Sequence, residues 1–135
     1  MSVLDASMAS ASVILKDVHH QVARRWIADA RTRREQLFAP AIMLPELASA
    51  VRRVTGHEED AEEALDRFGE GSGISYVPAS IELCNAAAEI AIRYSIKGCD
   101  AIYVALAQQL DEPLVTFDRE QAERASAVIR VIVPA

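Results

Sequence analysis

Aromatic residues make up 5% of this 135-residue chain, one Trp, three Tyr and three Phe. Stacked rings are therefore too scarce to build the core, and burial falls to Ala, Val, Ile and Leu within a 51% hydrophobic content. Cysteine is nearly absent. Cys84 and Cys99 lack metal-ligand or redox spacing and sit in apolar helical patterns, which excludes a disulfide framework and suits reduced thiols in a cytoplasmic protein. With no Cys or second His at ligand spacing, His19 and His20 read as surface residues rather than a metal site. No uncharged run approaches the ~18 residues of a membrane span, and Asp5 interrupts the start of the chain where an export signal would be basic. A soluble, unexported protein with no membrane partner is expected. The one glycine cluster, Gly69, Gly71 and Gly73, precedes a strand, whereas a phosphate loop follows a strand and opens a helix, so it reads as a turn. A net charge of −6 excludes a surface that coats nucleic acid non-specifically, but leaves room for a local basic patch beside an acidic pocket.

What is present is a repeated alternation. A short apolar run at 2–4 ends at Asp5, and helices are expected over 8–15 and 17–34, the second with Val18, Val22, Trp26 and Ile27 as its apolar stripe. A strand at 37–39 precedes a helix that opens with Pro45 at its first position, carries Glu46 in its first turn, faces inward through Leu47, Ala50, Val51 and Val54, and ends at Gly56. The next helix, 58–68, buries Ala61, Ala64, Leu65 and Phe68. Its acidic run is too sequential to converge on one point and reads as a solvated face. A strand at 74–78 leads into a helix over 80–94, apolar at Ile81, Cys84, Ala88, Ala91 and Ile92. The stretch 98–107 then forms a helix apolar nearly all round except for Asp100 at its head. A strand at 114–117 is followed by a short helix opening with capping-box spacing at Asp118 to Gln121, and 128–133 supplies the last strand. About five strands alternating with helices predict one domain over 1–135, a three-layer α/β/α fold with a central parallel sheet.

In such sheets ligands bind at the carboxyl ends of the strands. Asp5 and Asp118 follow strands, while Glu46 and Asp100 open helices, and helices running back across a parallel sheet start where strands end. Four acids therefore gather on one edge. Helix capping explains each one singly. It does not explain why an acid, never Ser, Thr or Asn, stands at all four positions. Mutually repelling carboxylates call for a cation, and an oxygen-only donor set favours a hard one, Mg²⁺ or Mn²⁺. Ser7 and Thr116 lie on the same edge, and Arg31, Arg33, Arg34, Arg52 and Arg53 are the basic positions available for a polyanion.

These segments resemble the PIN-domain proteins of the VapC toxin type over essentially the whole chain. Val3-Leu4-Asp5-Ala6-Ser7 is similar to the family's opening strand and Pro45-Glu46-Leu47-Ala48 to its second acidic motif. Residues Asp100 to Ala107 are similar to its third motif, and Leu114 to Asp118 to its fourth. One departure is Ser49, where family members often carry Asn. The resemblance implies a Mg²⁺-dependent endoribonuclease that acts as the toxin of a type II toxin–antitoxin pair, forms a homodimer and is silenced by a VapB-type antitoxin. Asp5, Asp100 and Asp118 would hold the metal, with Glu46 as a further ligand or as the group orienting water. A phosphoacceptor receiver domain shares the acidic edge but needs a lysine after a late strand, and the only lysines are Lys16 and Lys97. The remaining alternative is a catalytically silent interaction module whose acids only cap helices.

Overall fold

The computed structural model describes Met1–Ala135. Its elements run β1 (Ser2–Leu4), α1 (Ala6–Val13), α2 (His20–Thr32), β2 (Leu37–Pro40), α3 (Met43–Thr55) and α4 (Glu58–Phe68). They continue β3 (Ile74–Val77), α5 (Ile81–Tyr94), α6 (Gly98–Leu110), β4 (Leu114–Val115), α7 (Arg119–Ala125) and β5 (Val131–Ile132). The five strands form one sheet in the order β3-β2-β1-β4-β5, every neighbouring pair parallel. This is the expected three-layer α/β/α architecture around a central parallel sheet. The opening strand is central because Val3 pairs with Phe38 on one side and Leu114 on the other. A central strand in such a sheet is covered on both faces, and Val3 and Leu4 are fully buried. On the helical layers, α1 packs against α2, α3 and α4, while α5 packs on α6 and α6 lies against β1, β2 and β4. Asp5 sits one residue beyond β1, and its backbone N–H donates to the Val115 carbonyl at 3.3 Å, so the candidate acid is fixed to the middle of the sheet.

Several local expectations shift. Helix α1 starts directly after Asp5, which caps it, and α2 starts at His20, leaving Val18 in the preceding loop at 89% exposure. The inward stripe of α2 is Ala23, Ile27 and Ala30. His20 is buried, with Nδ1 2.8 Å from the Ala11 carbonyl. A carbonyl only accepts, so Nδ1 carries the proton. His19 stacks on Phe117, ring centroids 4.3 Å apart, so neither histidine is a free surface group.

Helix α3 begins two residues before Pro45, among N–H groups that lack helical partners anyway. Val54 points outward at 60% exposure. Gly56 ends that helix in the left-handed region, φ 77°, a conformation glycine adopts without steric cost. The face of α5 is rotated from expectation: Leu83, Ala87 and Ile90 are buried, while Ile81 and Ile92 are 75% and 84% exposed. That helix carries two apolar stripes, and periodicity alone does not choose between them. Cys99 is exposed and Cys84 half-buried, both free thiols. The last two strands shrink to two residues each, although the Thr116 N–H still donates to the Ile132 carbonyl at 3.1 Å.

Candidate active site

Asp5 is the centre of the acidic edge and is almost completely buried. Its Oδ1 accepts from the Ser7 hydroxyl at 2.5 Å and from the Met8 N–H at 3.2 Å, and its Oδ2 accepts from the Thr116 hydroxyl. Both hydroxyls reach further. Ser7 Oγ accepts the Phe117 N–H and Thr116 Oγ1 accepts the Asp118 N–H, each at 3.0 Å. The segment after β4 is thereby sewn to the end of β1 through the carboxylate between them. Burial is the largest influence on Asp5 and raises its pKa to about 6; the hydrogen bonds from Ser7, Thr116 and Met8 pull the other way, and the charge of Asp100 adds to the rise.

Asp118 caps α7, accepting the Gln121 N–H at 3.0 Å. Asp100 lies in the first turn of α6, half-buried. Together with Ser95, Lys97, Gln121 and Arg124, these two acids line a small cleft. Desolvation raises the Asp100 pKa, the charges of Asp118 and Glu46 raise it further, and Lys97 partly offsets them. Glu46, in the first turn of α3, faces a neighbouring groove with Ser7, Ser10, Ser49 and Arg53. It accepts the Tyr103 hydroxyl at 2.7 Å.

The four acids thus share one edge and feel each other's charge. Capping accounts for Asp5 and Asp118, which accept helix N–H groups. It does not account for the other two: neither α3 nor α6 has a side-chain cap, and Glu46 bonds Tyr103 instead of backbone. In the present arrangement no three His, Cys, Asp or Glu side chains converge closely enough to ligate one ion. Like charges separate, and hydrogen bonds already occupy Asp5, Glu46 and Asp118.

Two buried polar residues escape a reading of the sequence. Tyr103 sits among apolar neighbours and looks like core. Gln121 matches the capping-box position, yet its side chain does not return to the Asp118 N–H, which Thr116 has already taken. It donates instead to the Asp100 backbone carbonyl at 3.3 Å, with its Oε1 3.3 Å from the Thr116 hydroxyl. Among the arginines, Arg53 reaches the Glu46 groove. Arg31 joins Arg24 and Arg67 in a separate cleft, and Arg33 is paired with Glu35 at 3.0 Å.

Comparisons with known proteins bear on this geometry. A family model described as PIN domain matches residues 2–127. Ribonuclease VapC3 of Pyrobaculum aerophilum is 28% identical over 127 residues, covering 94% of this chain and 96% of the relative. Among solved structures, VapC20 of Mycobacterium tuberculosis, described as a sarcin–ricin loop cleaving toxin, superposes with a TM-score of 0.81 at 17% identity, with full coverage of both chains. A toxin–antitoxin complex from Klebsiella pneumoniae superposes with a TM-score of 0.66 at 18% identity, covering 100% of this chain and 98% of that one.

Proposed function

Because the chain belongs to the PIN-domain family, we propose that it is a metal-dependent endoribonuclease that hydrolyses RNA phosphodiester bonds and serves as the toxin of a toxin–antitoxin pair. The observation that carries the proposal is the set of four acids on one edge, two of which, Glu46 and Asp100, lie in first turns yet accept no helix N–H. An all-oxygen, anionic donor set suits a hard divalent cation, Mg²⁺ or Mn²⁺. Asp5, Asp100 and Asp118 would hold it, joined by Glu46. When bound, such a cation supplies charge neutralisation at phosphoryl oxygens and acidifies water.

The side chains have separable tasks. Ser7, Thr116 and the Met8 N–H fix both oxygens of Asp5, so the orientation of this carboxylate is set by the fold before any ligand arrives. Gln121 braces the Asp100 backbone carbonyl through its side-chain N–H. Glu46 gives Oε1 to Tyr103 and keeps Oε2 for a ligand or for orienting the attacking water. No protein side chain need form a covalent bond to phosphorus. Lys97 and Arg124 at the Asp100 cleft and Arg53 at the Glu46 groove are placed to meet the phosphates of an RNA strand.

An inhibitory antitoxin of VapB type fits the same edge if it presents a basic segment, because a guanidinium pairs with carboxylates that a cation would otherwise hold. Exposed Ile81 and Ile92 on α5 support self-association as a homodimer, and two unpaired thiols suit the cytoplasm. The test is cleavage of single-stranded RNA by purified protein with Mg²⁺ and with EDTA, beside Asp100→Asn. Cleavage is expected only for the wild type with metal. Metal-independent cleavage, or full activity in the variant, overturns the assignment.

A further inference from the structure

We infer that Tyr103 is a positioning residue: its hydroxyl, donated to Glu46 Oε1 across 2.7 Å, holds that carboxylate against α6, the helix that bears Asp100, and sets how tightly the acidic edge takes a divalent cation. The inference rests on the metal-dependent reading above and assigns a task within it to a residue outside the four acids.

The first argument is cost. Tyr103 is 1% exposed in a helix whose residues Ala101 and Tyr103 to Ala107 are buried. A buried hydroxyl without a partner is destabilising, a penalty that Phe, of nearly the same shape, would not carry. The phenol is stable there because Glu46, 57 residues away in sequence, receives it. The contrast with Tyr76 is informative. That half-buried phenol donates to the Phe68 backbone carbonyl, an acceptor that any residue at 68 would supply, whereas the acceptor for Tyr103 exists only because position 46 is an acid.

The second argument is geometry. Asp100 and Tyr103 are three residues apart on α6 and share a face. The contact therefore ties the first turn of α3 to the side of α6 that bears Asp100. An ordinary phenol keeps its proton to about pH 10, so the group is a neutral donor to Glu46. Such a donor steadies one carboxylate without adding a competing cation, and it leaves Glu46 Oε2 free. Partners behind metal ligands commonly change metal affinity 10- to 100-fold when removed.

The test compares wild type, Tyr103→Phe, Glu46→Gln and the double variant by calorimetric Mg²⁺ titration, with RNA cleavage across Mg²⁺ concentration. Tyr103→Phe is expected to weaken Mg²⁺ binding about tenfold, to recover kcat at saturating Mg²⁺, and to leave the KM for RNA unchanged. In the Glu46→Gln background the same substitution is expected to have no further effect on Mg²⁺ affinity. A purely structural role would lower the melting temperature without moving the Mg²⁺ dissociation constant, and that result overturns the inference, as does additivity of the two substitutions. If Tyr103→Phe does not fold, the tyrosine difference spectrum of wild type on Mg²⁺ addition decides. A shift that Glu46→Gln abolishes supports the inference, and the absence of any shift refutes it. A wild type that neither binds Mg²⁺ nor cleaves RNA fails in a different way and overturns the ribonuclease reading itself.

Discussion

Replacing Asp5 by Asn tests whether its buried carboxylate is held in the metal-free protein at a cost. Burial raises the Asp5 pKa from 3.8 to about 6, so between these values the folded chain binds a proton that the unfolded chain releases. The sign follows from linkage: a carboxyl with a raised folded-state pKa contributes stability that is complete below its unfolded pKa and is lost as pH rises through the folded one. That rise corresponds to roughly 3 kcal/mol over the whole window, of which about 2 kcal/mol falls between about pH 4.5 and about pH 7.5. At about 2.1 cal/mol/K per residue, 135 residues give an unfolding entropy near 0.28 kcal/mol/K, so this is about 7 °C in Tm. Asn has no such titration. It keeps an oxygen for Ser7 and Met8, and the Thr116 hydroxyl can turn to Gln121 Oε1, 3.3 Å away. In EDTA the Tm difference between Asp5→Asn and wild type is therefore expected to grow in favour of the variant as pH rises. Dilute samples keep the measurement clear of precipitation near the sequence pI of about 5.0. Parallel Tm-versus-pH curves for the two proteins would refute the reasoning.

Other expectations address the remaining parts of the edge. Mg²⁺ at ten times its dissociation constant should stabilise the wild type by about 1.4 kcal/mol, about 5 °C in Tm by differential scanning calorimetry; a wild type indifferent to Mg²⁺ at matched ionic strength would leave the acids without a ligand. Asp100→Asn should abolish cleavage yet melt at or above wild type in EDTA, because burial and the charges of Asp118 and Glu46 oppose its ionisation. Arg53→Gln should weaken binding of single-stranded RNA in EDTA and lower the slope of log K against log salt by about 0.7, the value for one phosphate contact; fluorescence anisotropy across a salt series reads both. His19→Ala removes a ring stacked on Phe117 and should cost about 0.5 to 1.5 kcal/mol in urea unfolding, with most of it restored in His19→Phe.

How much of this molecule was legible in its sequence depended on contrast. Helix α4 has the expected bounds, Glu58–Phe68, because charged and apolar residues alternate sharply there and Gly56 punctuates its approach. Helix α5 was misread in face, though not in extent, because Ile81 and Ile92 are as apolar as Leu83 and Ile90, and only packing on α6 selects one stripe. Strand order is non-local and was not readable from any segment. The acids were visible because each stands at a junction where apolar periodicity stops. The residues that hold those acids were not. Tyr103 lies inside an apolar run, and Gln121 has the spacing of an ordinary cap. What redirects the Gln121 side chain is Thr116 occupying the Asp118 N–H, a contact that exists only after β4 has docked.

The central position of β1 has a consequence in time. Asp5 is made well before its flanking strand β4 and the clamp at Thr116, 111 positions further along. Asp118 follows Asp5 by 113 positions, roughly 6 to 23 s of synthesis at about 5 to 20 residues per second. Throughout that interval the nascent chain holds three of the four acids at most, with an open sheet edge where β4 will enter. A cleaving edge therefore cannot be complete while its own messenger is still being read through these codons, and a product truncated before β4 is inert by construction. For a chain that cuts RNA, the strand order itself delays the hazard until β4 has been made.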